Sequence, residues 1–168
     1  GGNKWYAFHE IVAGSGGTSV ISGEDVMVLG DISGGSLEIN SNVIFDGNAA
    51  NNTYDQDLFL NVPSRTATLL VENALGSGNV LVHGGQVWVE ATQDNDFLFT
   101  ESATLDANVA NAITGSVVFD AEIGTYPRVN LFVEDAINNA QMTVRGSYPS
   151  GWGTIAPNSI SGTTSVAY

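Results

Sequence analysis

The sequence predicts an all-β chain, and three observations carry that prediction. Short runs rich in Val, Ile, Phe and Thr recur between clusters of Gly, Asn, Asp and Ser, the pattern of strands punctuated by turns. A unit of small polar residue, apolar residue, Gly/Ser/Asn-rich bend and strand occurs four times. Its copies open at Asp31-Ile32-Ser33-Gly34, Asn73-Ala74-Leu75-Gly76, Asn111-Ala112-Ile113-Thr114 and Asp135-Ala136-Ile137-Asn138, and repetition at tens of residues marks stacked architectures. Helix signals are nearly absent, because the longest candidate, Leu105 to Ile113, is interrupted by Asp106, Asn108 and Asn111 and has no capping box.

In chain order, strands are expected at about Trp5–Val12, Ser19–Ile21, Val26–Leu29, Leu37–Ile39, Val43–Phe45, Leu58–Val62 and Ala67–Val71. They continue at about Val80–Val82, Val87–Val89, Phe97–Phe99, Val117–Phe119, Val129–Val133, Met142–Val144 and Ser165–Tyr168. The repeat extends beyond the four bends. Leu69-Leu70-Val71-Glu72-Asn73-Ala74-Leu75 matches Leu131-Phe132-Val133-Glu134-Asp135-Ala136-Ile137 at an offset of 62, and Val80-x-Val82 matches Met142-x-Val144 at the same offset. Asp57-Leu58-Phe59-Leu60 with Ala67-Thr68-Leu69 matches Asp96-Phe97-Leu98-Phe99 with Ala103-Thr104-Leu105.

Over roughly residues 18–147 this pattern resembles the right-handed parallel β-helix group, the β-solenoids of surface proteins, adhesins and tailspikes. The resemblance implies stacked coils of several short strands, and scaffold or adhesive roles. The copies are unevenly spaced, by 42, 38 and 24 residues, and there is no regular Asn ladder. A jelly-roll or Greek-key β-sandwich, with antiparallel pairs such as Leu37–Ile39 against Val43–Phe45, fits the same strands.

At 168 residues a single domain is expected, long enough to bury about 70% of its unfolded surface. Residues 1–17 read as an N-terminal strand or cap, 18–147 as the repeat body, and 148–168 as a Gly/Pro/Ser-rich C-terminal strand or cap. The opening Gly1-Gly2-Asn3 is that expected of a processed chain. A solenoid must cover its end strands or polymerise through them. The aromatic run Trp5–Val12 suits either a cap or a strand added to a neighbouring subunit.

Composition excludes several functions. With 18 acidic and 4 basic residues the net charge is −14. Lys4, Arg65, Arg128 and Arg145 cannot build the basic face that nucleic acid needs, and an anionic membrane repels such a chain. No apolar run reaches the roughly 20 residues of a membrane-spanning helix, so no membrane insertion is expected. With no cysteine there is no disulfide or thiolate chemistry. The Gly-rich, Lys-poor composition resembles exported surface proteins, which places the chain outside the cell, on a cell surface or on a virion.

The chemical signal lies in acidic loops. Asp46-Gly47-Asn48 leads to Asp55-Gln56-Asp57, and Asp94-Asn95-Asp96 precedes the matching strand Phe97–Phe99. If the two strands stack directly, the Asp-x-Asp pairs lie one strand spacing apart, about 4.8 Å. Carboxylates that close call for a bridging cation, and Ca²⁺ with its six to eight oxygen ligands is the natural one. Asp46, Asn48, Asp55, Asp57, Asp94 and Asp96 are the candidate ligands, with ordinary solvated turns as the alternative. No other cofactor is expected. His9 and His83 stand alone, without zinc-ligand spacing. Trp5, Trp88 and Trp152 are candidates for stacking on a glycan or for simple packing. Asn51-Asn52-Thr53 is an N-glycosylation acceptor sequence.

The expectation is a non-enzymatic structural protein that assembles with itself, as a homo-oligomer or polymer, through strand edges into a filament, lattice, capsid or fibre. A carbohydrate-binding adhesive module is the first alternative. A polysaccharide lyase or hydrolase using paired carboxylates is the second.

Overall fold

Runs of three or four residues that alternate apolar and polar can bury only one face, so many of them must share one core. The computed structural model describes residues 4–47, 54–61, 65–120, 126–133, 135–138, 142–145, 160–161 and 165–166. Its strands are β1 (Trp5–Ala13), β2 (Ser19–Ser22), β3 (Asp25–Gly34), β4 (Leu37–Asn40), β5 (Val43–Phe45), β6 (Leu58–Leu60), β7 (Thr66–Leu69), β8 (Val80–His83) and β9 (Gln86–Val89). They continue with β10 (Phe97–Thr100), β11 (Thr104–Ala107), β12 (Val117–Asp120), β13 (Arg128–Leu131), β14 (Ile137–Asn138), β15 (Met142–Arg145), β16 (Ile160–Ser161) and β17 (Ser165–Val166).

The chain alternates between two parallel sheets. Sheet A has seven strands in the order β1-β3-β5-β7-β9-β11-β13, and sheet B has eight in the order β17-β15-β12-β10-β8-β6-β4-β2. A narrow third face is formed by β14 and β16, extended by parallel bridges joining Gln93, Ile113 and Ile137. The result is a β-solenoid of about six turns. The sandwich alternative is overturned. Its proposed antiparallel partners, β4 and β5, lie in different sheets, and each pairs in parallel with the turns before and after it. The reason sits in the residues between them. Asn42 donates to Oδ1 of Asp25 at 3.0 Å and accepts from the Thr66 N–H at 2.9 Å, so the segment stitches successive turns instead of closing a hairpin.

In-register stacking sets like residue on like. Inward columns of sheet A run Val26–Val43–Ala67–Val87–Leu105 and Val28–Phe45–Leu69–Val89–Ala107. Sheet B supplies Leu37–Leu58–Val80–Phe97–Val117–Met142 and Ile39–Leu60–Val82–Phe99–Phe119–Val144. Every one of these residues is buried, and burying a Val, Leu, Ile or Phe stabilises by about 1.5–3 kcal/mol. Phe99 stacks on Phe97 at 5.8 Å and on Phe119 at 5.3 Å between ring centroids.

The same columns explain the sequence repeat. Leu69 and Leu131 share a column three turns apart, as do Val80 and Met142, so the offset of 62 spans three turns. The four bend copies deliver Leu37, Val80, Val117 and Met142 to one column of sheet B, in turns separated by two, two and one. Spacings of 42, 38 and 24 are therefore multiples of an uneven coil. The match of Ala67 with Ala103 is shifted, because the partner of Ala67 two turns on is Leu105. That shift of two residues preserves which side chains face inward. The segment from Leu105, the longest helix candidate, begins with strand β11.

Corners are tight. A side chain on Gly78 would run into the Gln56 carbonyl of the preceding turn, and one on Gly115 into that of Asn95, so only glycine lets these turns stack. Asn73, Asn111 and Asp135, which open three of the bend copies, all adopt left-handed backbone, with φ of 48°, 52° and 53°. Strand β1 is the terminal strand of sheet A. It pairs with β3 as a rung of sheet A, with an extra residue of β3 bulging between its Phe8 and Glu10 partners.

Candidate functional site

Two of the acidic loops, 55–57 and 94–96, lie at the corner that leads into sheet B, whereas Asp46 lies just beyond β5 at the exit of sheet A. Ser36, Asp57, Asn79, Asp96 and Ser116 each precede a strand of that sheet and form a polar column up the solenoid. Backbone hydrogen bonds fix its order: the Leu37 N–H donates to the Asp57 carbonyl, Leu58 to Asn79, Val80 to Asp96 and Phe97 to Ser116. Asp57 and Asp96 are thus two turns apart, about 9.6 Å along the axis, and the expected single strand spacing is corrected. Strand β8 lies between β6 and β10, and its preceding residue is Asn79.

Neutral groups serve these carboxylates. Asn79 donates to Oδ1 of Asp57 at 3.3 Å, the Ser116 N–H donates to Oδ1 of Asp96 at 2.8 Å, and Gln56 donates to Oδ1 of Asp55 at 2.8 Å. Asp94 is tied through its N–H to Oδ1 of Asn73, and Asp46 through its N–H to the Val28 carbonyl. Asn48 lies outside the described residues, as do Asn51-Asn52-Thr53 and Trp152. Among the described residues no three of His, Asp and Glu form a group that could hold a metal ion. The calcium expectation therefore loses the four-carboxylate cluster on which it rested.

Three polar residues that the sequence did not single out hold the corner. Tyr54 is buried and donates from its hydroxyl to the Gly35 carbonyl at 2.5 Å. Burial, then the nearby charges of Asp57 and Asp55, push this hydroxyl from 10.0 up to about 12. Gln93, fully buried, accepts from the Ala74 N–H and donates to the carbonyls of Val71 and Ala91. Asn95, between Asp94 and Asp96, turns inward and bridges the Gly76 and Gly78 carbonyls at 3.0 and 2.9 Å. The only sequence signal was Asn95 itself, flanked by two exposed Asp residues at strand period.

The outer face of sheet A is the other polar assembly. One outward column runs Ala7–Met27–Ile44–Thr68–Trp88–Asp106–Asn130, changing from apolar to polar at Thr68. Asp106 is only 4% exposed. Gln86 donates to its Oδ2, and Asn130 donates to its Oδ1 at 2.6 Å. Asn108 donates to Oε1 of Glu90 at 2.6 Å beside them. Trp88 stands among these groups at 42% exposure. Amides thus do on both sheets what cations do in most acidic surfaces, since Asn61 also donates to Glu38 of sheet B.

Sheet B presents a different outer face. Phe59, Leu81, Leu98 and Val118 line up on consecutive turns, all half-buried. At the strand ends, Nδ1 of His83 and Oγ1 of Thr100 share a hydrogen bond of 2.5 Å, and Asp120 is the register partner of Arg145. The outermost described strand of sheet A is β1, whose Trp5, Tyr6 and Val12 are 42%, 51% and 70% exposed. His9, on the same strand, is exposed and lies far from His83 in the order of turns.

Comparison with protein-family models, curated proteins and solved structures finds no match to this chain.

Proposed function

We propose that this chain is a non-enzymatic structural protein, extracellular, on a cell surface or on a virion, that assembles with its own copies through strand edges. The observation that carries the reading is β1. It is a nine-residue strand at the margin of sheet A, its neighbour on one side is β3, and its other side meets no described strand. A long strand margin whose outer N–H and C=O groups meet no described partner can template pairing with another chain. The half-buried Phe8 and Ile21 lie at the same end of the core, where a strand from another copy would cover them.

The rest of the molecule suits a stiff repeating body. Each turn is satisfied by its neighbours, so rigidity extends along the axis as turns are added. The charge of −14 keeps lateral contacts between such bodies weak, which favours end-to-end growth over clumping.

The test is sedimentation velocity over a wide protein concentration range, with negative-stain electron microscopy of the same samples. Larger species with filament, ring or lattice order are expected for the natural chain. The double variant Tyr6→Lys/Val12→Lys, which charges the margin at exposed positions, is expected to stay monomeric with an unchanged melting temperature. A natural chain that remains monomeric at every concentration would overturn the proposal.

A further inference from the structure

We infer that the outer face of sheet A around Trp88 binds neutral glycans. The inference is independent of the assembly reading, since it concerns a sheet face in the middle of the solenoid.

An indole packed for stability sits against apolar neighbours. Trp88 does not. Its register partners on the two adjoining turns are Thr68 and Asp106, and the outward residue two positions before it is Gln86. The apolar part of this column, Met27 and Ile44, ends two turns away. The residue nevertheless remains 42% exposed on the outer face of a parallel sheet. An exposed aromatic ring among polar groups suits a ligand with one apolar face and a polar rim, as a pyranose has.

The polar groups are also held in place. Asp106 is nearly buried and receives one amide N–H each from Gln86 on the turn of Trp88 and Asn130 on the turn beyond Asp106. Asp106 is therefore a positioning residue. Fixing one end of each amide leaves the amide carbonyls as acceptors of set direction, with the Thr68 and Thr104 hydroxyls alongside as donors or acceptors. Such preorganisation lowers the ordering cost that otherwise weakens binding. Acceptors in excess call for a ligand rich in hydroxyl donors. The net charge of −14 and the carboxylates of Asp106 and Glu90 repel uronates and sulfated chains, which leaves uncharged sugars.

Affinity electrophoresis of the natural chain through gels containing mixed-linkage β-glucan, galactomannan or arabinoxylan, with polygalacturonate as the charged comparison, tests this. Retardation by at least one neutral polymer is expected. Trp88→Ala should weaken it about tenfold or more, Trp88→Phe should retain part of it, and Asn130→Ala should weaken it several-fold. Trp88 is exposed, so unchanged melting temperatures are expected for its two variants and separate binding from folding, whereas Asn130→Ala also removes a hydrogen bond from the nearly buried Asp106 and should lower the melting temperature. The inference is overturned if no neutral polymer retards the protein, if Trp88→Ala is retarded like the natural chain, or if polygalacturonate alone retards it. Concentration-dependent sedimentation should be the same in Trp88→Ala, so failure here and failure of the assembly reading are distinguishable.

Discussion

The Gln93 side chain completes the backbone of Ala74 one turn away, accepting its N–H at 2.9 Å from within the core. The same side chain donates to the carbonyls of Val71 and Ala91. Between these turns the narrow third face lacks a regular strand, and one buried amide takes its place. Gln93→Leu keeps the volume but strands these backbone groups. It should destabilise the fold by about 2–4 kcal/mol in denaturant unfolding, well above a typical surface substitution.

Phe99 links two columns of the sheet B core by stacking on Phe97 and Phe119. Phe99→Ala should cost about 3–5 kcal/mol, and Phe99→Leu clearly less, because Leu fills most of the cavity. Equilibrium unfolding of the two variants measures the difference. A loss under about 1 kcal/mol for Phe99→Ala would mean that the column is not packed as described.

Gly78→Ala should be as damaging as a core truncation, although Ala is ordinarily the better residue in a folded chain. The added methyl meets the Gln56 carbonyl of the turn before, a backbone atom that cannot swing aside. Gly16→Ala, where a methyl meets nothing, is the control and should be close to neutral by thermal unfolding.

Tyr54 gives the fold an alkaline limit. Its hydroxyl titrates at about 12 in the folded chain against 10.0 ordinarily, so the folded state holds the proton more tightly. That contribution is fully present below pH 10 and is lost as the pH rises toward 12. Melting temperature should therefore fall more steeply over that window in the natural chain than in Tyr54→Phe. Equal slopes would contradict the assignment.

Much of the fold was legible because stacking repeats itself in sequence. The Val71–Gly84 and Val133–Gly146 match marks real structural equivalence in its described part, and the bends at Asn73, Asn111 and Asp135 share one backbone conformation. What stayed hidden was the number of turns between similar segments. Asp57 and Asp96 look adjacent because both precede Leu/Phe strands, while Asn79, with a Gly-rich bend before it, carries the turn between them. The site on sheet A was illegible for the same reason. Gln86, Asp106 and Asn130 are scattered along the chain, and only register brings them together around Trp88. Tyr54, Gln93 and Asn95 sit in loops where polar residues are ordinary, so nothing local marks them as buried.

Amide hydrogen exchange of β1 as a function of protein concentration tests the assembly reading most directly. Residues Trp5–Ala13 pair with β3 on one side only among the described strands, so the amides facing away from β3 exchange readily in the isolated chain. On concentration into assemblies those amides should become protected, while the interior strands β7 to β10, already paired on both sides, should not change. Exchange in β1 that stays fast in particles seen to be assembled would contradict edge-to-edge growth and move the contact elsewhere on the solenoid.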